Sequence, residues 1–273
     1  MEDQNQDNSG RSDPFAERSN IAQLWYEARL CLGFLTRIPV FSIEYSGHSS
    51  LAGASWAFPL IGACVGVAAA FALWIANGFG LASQLAALLA VAAMILLTGA
   101  LHEDGLADTA DGFGLGGDVE KRLAAMRDPR IGVFGMVALI VVFAARWTAL
   151  SDLVAVSFSQ GATAMVAAAA ISRGILPYVM HAVANARPDG LSATAGRPDS
   201  QPALIALAIS AVIALLAFGF SGTVLVALVA GLLTFAIVAV ARRLIGGQTG
   251  DVLGAIQQVT EAAILITAVG LAA

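Results

Sequence analysis

The chain has 273 residues, of which 58% are hydrophobic and 12% charged, with a formal net charge of −5. Mean hydropathy is +0.81, and the apolar runs are too long and too many for a water-soluble core. This excludes an ordinary soluble enzyme, and the absence of a basic face argues against a nucleic-acid partner; the composition fits an all-α, polytopic integral membrane helix bundle.

Residues 1–20 are rich in Asn, Gln, Ser and charge and read as a disordered cytoplasmic tail. They lack the basic and apolar regions of a signal peptide, so the chain is expected to begin in the cytoplasm. Residues 21–273 then form a single membrane-embedded domain. Its first segment, Ile21 to Val40, is apolar but carries Glu27, Arg29 and Arg37, which suits an interfacial or re-entrant helix better than a span. It ends in the sequence LTRIP, where Arg37 on its own is an interfacial anchor. Cys31 and Cys64 have no metal-ligand spacing and read as packing residues.

About seven segments have, or nearly have, the roughly 20 residues needed to cross a bilayer core of about 30 Å. They run near Ser55–Ala76, Leu81–Leu101, Gly132–Val156, Gly161–Val183, Ala203–Phe220, Gly222–Ala241 and Val252–Ala273. Gly62 and Gly66 form a GxxxG pair that permits close helix packing within the bundle or in a homo-oligomer. Arg146, Arg173 and Glu261 are costly in hydrocarbon and must face the bundle interior or water. For Arg173, an ion pair with Glu261 and a substrate contact both stay open.

With seven spans, the tail and the loops at 102–131, 184–202 and 242–251 share one side. Twelve of the fourteen Lys and Arg fall there, and the other two lie within spans. That asymmetry makes this side cytoplasmic.

The same side carries the most informative stretch, GALHEDGLADTADG from Gly99 to Gly112, with Glu103, Asp104, Asp108 and Asp111 inside nine residues. On a helix, Asp104, Asp108 and Asp111 share one stripe, with Glu103 about a quarter turn away. Like charges at that spacing repel, and a divalent cation would reverse the effect. An all-oxygen ligand set selects hard cations such as magnesium, manganese or calcium over zinc or copper. The simpler reading is a solvated acidic loop; Gly105 and Gly112 beside the acids fit close approach of a phosphate better. His102 could serve as a general base or as an interfacial hydrogen-bonding residue, while His48 and His181 belong to no constellation.

Two further clusters follow. In KRLAAMRDPRIGVFG, Lys121 and Arg122 read as membrane anchors. Arg127 and Arg130, bracketing an Asp128–Pro129 turn before Gly132 and Gly135, fit phosphate binding. GGQTGDVLGA, from Gly246 to Ala255, is a Gly-rich turn in which Thr249 or Asp251 caps the last span, and its amides could approach an anion. It is not a P-loop, because no GK[ST] follows.

Taken in order, LTRIP, HEDGLADTADG, RxxxMRDPRIGxFG and GGQTGDxxGA resemble the cobalamin synthases, the adenosylcobinamide-GDP ribazoletransferases, from about Leu24 to the C-terminus. The resemblance implies a magnesium-dependent enzyme of the bacterial inner membrane, its active site on the cytoplasmic side. Such enzymes join adenosylcobinamide-GDP to α-ribazole or its 5′-phosphate, release GMP and form adenosylcobalamin or its 5′-phosphate. The expected metal ligands are Asp104, Asp108 and Asp111, with Glu103 as a fourth ligand or a base. The expected substrate contacts are Arg37, Arg127, Asp128, Arg130, Arg173, Thr249 and Asp251.

Two other classes compete with this expectation. A CDP-alcohol phosphotransferase would need a DGxxAR run with a GxxxDxxxD continuation, whereas Asp111–Gly112 is followed by Phe113 and Gly114; membrane prenyltransferases would want an Asp-Asp pair, and none occurs. A cation-coupled transporter would place its acids near the membrane midplane rather than at one mouth.

Overall fold

The computed structural model describes residues 14–40 and 50–272, with side chains from residue 21 onward. Among the described residues the helices run α1 Pro14–Leu35, α2 Leu51–Ala54, α3 Phe58–Gly78, α4 Ser83–Thr98, α5 Leu101–Gly114 and α6 Val119–Ala125, then α7 Val133–Val156, α8 Phe158–Gly174, α9 Leu176–Ala182, α10 Leu191–Ala195, α11 Ser200–Ile245 and α12 Gly250–Ala272. An all-α bundle is what the composition required. Residues 14–20, expected in the tail, are helical and open α1. The remainder of that tail, residues 1–13, and His48 lie outside the described residues.

Five segments are long and apolar enough to cross a membrane, and α4 with α5 makes a sixth if that bent pair is one span. The difference from seven lies in α11, whose 46 residues were expected as two segments. A straight helix of that length would reach about 69 Å at 1.5 Å per residue. Its two ends nevertheless meet adjacent residues of α9: the Pro198 carbonyl, just before the helix, lies 2.9 Å from His181 Nδ1, and Arg242 donates to the Ala182 carbonyl at 3.0 Å. The chain therefore folds back at Gly219, where φ is +66° and ψ −175°. A glycine takes that conformation without the steric penalty a side chain would meet.

Gly62 and Gly66 of α3 lie against the backbone of α8 near Ala169 and Val166, so the GxxxG pair packs two helices of one chain. Large apolar side chains such as Leu216, Phe220, Leu228 and Phe235 stand exposed on the α11 legs, as a lipid-facing surface requires. Cys31 is buried in the core, whereas Cys64 faces outward rather than packing inside.

One irregularity positions the acidic helix. α4 ends at Gly99 with φ +64° and α5 starts after Ala100 with φ +57°, two left-handed residues in succession. The chain turns by 88° there. From that bend α5 runs beside α7, with Glu103 at Arg146 in the middle of that helix and Asp111 at Gly132 and Gly135 at its start, so the later turns of α5 reach the near end of the bundle. The first turns of α7 and α12 open onto the same end.

Candidate functional site

Because α5 is continuous from Leu101 to Gly114, Asp104, Asp108 and Asp111 fall on one face, with Asp104 exposed and the other two half-buried. α12 crosses that helix at its glycines: a Cβ on Gly105 would lie 2.9 Å from the Asp251 carbonyl oxygen and 3.2 Å from the Gly254 Cα. The close crossing brings Asp251 beside the stripe, and Asp104 and Asp251 border one cavity of about 70 Å³.

Asp111 has a structural task. Its carboxylate accepts from the Gly132 N–H at 2.7 Å and the Gly135 N–H at 2.8 Å, which caps α7 in place of the missing side chain at the N-cap, Gly132. Arg122, expected as an anchor, closes the C-terminal end of α5 by donating to the Gly112 and Phe113 carbonyls at 3.1 and 2.8 Å.

Asp108 shows the electrostatic cost of the arrangement. Burial, then the charges of Asp104, Asp251 and Asp111, push its carboxyl up to about 7, with the Arg187 guanidinium opposing. Among the described residues no three His, Cys, Asp or Glu side chains are drawn together as a formed metal cage. The donor chemistry still fits a hard divalent cation, since Asp104, Asp108 and Asp251 offer only oxygen and, of the three, Asp251 alone is held in an ion pair among the described residues, with Arg187.

Arg37 stands on the other side of Asp104. Its backbone N–H donates to the Leu97 carbonyl at 2.7 Å, and its side chain crosses Gly99, where a Cβ would overlap it. Arg37 and Asp104 thus line one polar cavity of about 420 Å³ at the bend between α4 and α5. A separate cavity of about 630 Å³ between α8, α9 and the α11 legs contains none of these acids.

The family described as cobalamin-5-phosphate synthase, CobS, matches residues 27–269. The chain belongs to this family. A relative from Mesorhizobium japonicum, named adenosylcobinamide-GDP ribazoletransferase, is 45% identical over 90% of this chain and 93% of its own. Relatives of the same name from Bradyrhizobium diazoefficiens and Azorhizobium caulinodans are 46% and 42% identical, over 92% and 86% of this chain and 94% and 92% of their own. No solved structure matches.

In this CobS-family chain, several expected site residues lie elsewhere. Arg173 is 1% exposed and pairs with Glu261 at 3.0 Å, so it is a structural ion and not a substrate contact. Glu103 leaves the aspartate stripe: it pairs with Arg146 and accepts from Gln258, each at 3.0 Å, while Arg146 also reaches Glu261 at 2.7 Å. Two Arg and two Glu therefore neutralise one another where α5, α7, α8 and α12 meet. His102 is buried at the edge of this network, with its Nδ1 unpartnered.

Asp128 and Arg130 bind each other on an exposed turn, Nε to Oδ1 at 2.9 Å and Nη2 to Oδ2 at 2.8 Å, which holds the Asp128 carboxyl down at about 2. They are not drawn to the stripe. Thr249 caps α12, accepting from the Val252 N–H at 3.3 Å and donating to Asp251 at 3.1 Å.

Sequence reasoning missed the loop at 184–190. Ala184 and Ala186 bond the Gln248 backbone at 2.9 and 2.8 Å, and the Asn185, Gln248 and Ser192 side chains join beneath. This clamp carries Arg187 to Asp251 at 3.2 Å and brings Asp189 to Arg127. The one available signal was an Arg-Pro-Asp-Gly turn in a polar loop on the same side as the acids.

Proposed function

We propose that this chain transfers the adenosylcobinamide-phosphate moiety of adenosylcobinamide-GDP to α-ribazole or its 5′-phosphate and releases GMP. The observation that carries the reading is the oxygen-rich mouth of Asp104, Asp108 and Asp251, flanked by Arg37 and Arg187, in a chain of the CobS family. Family membership and the names of the relatives supply the substrates, and the mouth supplies groups suited to them.

In the proposed reaction the ribazole 3′-oxygen bonds to the cobinamide-side phosphorus, and the bond from that phosphorus to the bridging diphosphate oxygen breaks. GMP leaves with the bridging oxygen, and the hydroxyl proton is released to the water of the open mouth. Asp104, Asp108 and Asp251 would hold magnesium, or manganese in its place, which supplies charge neutralisation on the phosphate oxygens. Arg37, laid across the α4–α5 bend, places a guanidinium beside Asp104 for the diphosphate. Asp111 and Arg122 cap neighbouring helix ends, which keeps the stripe in register with α7.

The mouth is read as cytoplasmic and the bilayer as the bacterial inner membrane, on the strength of the Lys and Arg gathered at that end. The test is mass spectrometry of the purified protein incubated with adenosylcobinamide-GDP, α-ribazole and magnesium. Adenosylcobalamin and GMP in equal amounts support the reading; GDP as the released nucleotide, or no corrinoid product, overturns it.

A further inference from the structure

The loop that sequence reasoning passed over presents a guanidinium at the acid mouth. Arg187 has a side chain only 13% exposed, and its Nη2 lies 3.2 Å from Asp251 Oδ2. Its Nε stands 4.0 Å from Asp189 Oδ1, and the same Asp189 oxygen accepts from Arg127. Asp189 therefore links two guanidinium groups that come from separate loops. Gly190, at φ +97°, lies beneath them: a Cβ there would sit 3.3 Å from Arg187 Nε and 3.4 Å from Nη2.

One donor in this arrangement is left over. Arg187 Nη1 is buried and has no hydrogen-bond partner. A buried donor without an acceptor keeps its full desolvation cost, and a charged donor keeps more of it. Guanidinium pairs are suited to phosphate because their planar forks meet two oxygens at once. The unsatisfied Nη1, the neighbouring acids that would share a cation, and the second guanidinium held through Asp189 all call for an anion that arrives with a divalent metal.

We infer that Arg187 is a substrate-binding residue whose guanidinium takes the diphosphate of the nucleotide-activated substrate, acting with Arg127 as a pair joined by Asp189. This rests on the transfer reaction proposed above and adds to it the residue that grips the diphosphate. On binding, Nη1 gains the acceptor it lacks, and the contact of Nη2 with Asp251 is exchanged in whole or part for a phosphate oxygen. Asp251 is then free to turn toward Asp104 and Asp108.

The test uses the full chain in detergent or lipid, with inorganic pyrophosphate as the probe and Arg187→Gln as the variant. The expected result is at least a tenfold rise in the pyrophosphate inhibition constant and in KM for the diphosphate substrate. KM for α-ribazole stays within twofold, and the thermal unfolding midpoint stays near that of the parent. An inhibition constant unchanged in Arg187→Gln, or two KM values that rise together, overturns the inference. Should Arg187→Gln not fold, Arg187→Lys keeps the charge against Asp251 while losing the fork. It must still weaken pyrophosphate several-fold, and no weakening is equally fatal.

The two ideas fail separately. Parent protein that binds pyrophosphate through Arg187 but transfers nothing contradicts the reaction alone. Parent protein that transfers normally while Arg187→Gln keeps its pyrophosphate affinity contradicts the role of Arg187 alone, and a parent that binds no pyrophosphate removes it as well.

Discussion

The Asp111 carboxylate and the Gly135 amide are joined by a 2.8 Å hydrogen bond that ties the acidic helix to the start of α7. Asp111 thereby differs from its two stripe neighbours. Asp111→Ala is expected to lower stability by about 1–2 kcal/mol, the usual cost of losing an N-cap acceptor. Gly135→Ala should be at least as damaging, because a Cβ there would overlap the Asp111 carboxylate. Thermal unfolding in detergent checks both, and Asp104→Ala, on an exposed residue, should leave the midpoint unchanged.

The buried ions make a second prediction. Removing one member of a buried charged network costs about 3–5 kcal/mol, because the partner is left uncompensated. Arg173→Met leaves Arg146 alone against Glu103 and Glu261 and should destabilise strongly. Adding Glu261→Gln restores neutrality and should recover part of the loss. A double variant less stable than Arg173→Met would show that charge balance is not what holds these helices together.

Asp108 gives a pH dependence with a definite sign. Its folded-state pKa of about 7 lies above the ordinary carboxylate range, so the metal-free fold holds its proton more tightly than the unfolded chain does. Its contribution to stability is complete below the unfolded value, about 4, and is lost as pH rises toward 7. Without divalent metal the unfolding midpoint should fall as pH rises from about 4 to about 7 and level off above that. With magnesium the trend should weaken or reverse, because the ionised form then has a counter-charge. Asp108→Asn should flatten both curves.

The α11 hairpin predicts labelling. Single cysteines at the exposed positions 199 and 243 should react with an impermeant thiol reagent from one side of the membrane, and a cysteine at 221 from the other. Reaction of all three from one side would contradict the reversal at Gly219.

Much of this was legible in the chain. The step of four and then three between Asp104, Asp108 and Asp111 survives intact, because helix periodicity is a local property. So does the reversal near Phe220, where hydropathy alone separated two segments that helical hydrogen bonding runs together. Long-range partners were less accessible. Glu103 sits next to Asp104 in sequence but points to Arg146, and only the crossing of α5, α7 and α12 reveals it. Arg173 looked equally suited to Glu261 or a substrate, and burial decided for Glu261. Gly132 and Gly135, read only as following Arg127 and Arg130, are small to admit Asp111. Arg187 carried no motif of its own; its importance comes from the pairing of Asn185 with Gln248, which no spacing rule contains.

The most direct measurement of the central claim follows GMP and corrinoid product together in one reconstituted sample, with magnesium, with EDTA, and with Asp108→Asn shown by its unfolding midpoint to be folded. The account predicts equal release of GMP and product with magnesium. It predicts loss with EDTA, recovery on adding magnesium back, and at least a hundredfold loss in Asp108→Asn. Undiminished transfer by folded Asp108→Asn, or transfer indifferent to EDTA, would contradict it.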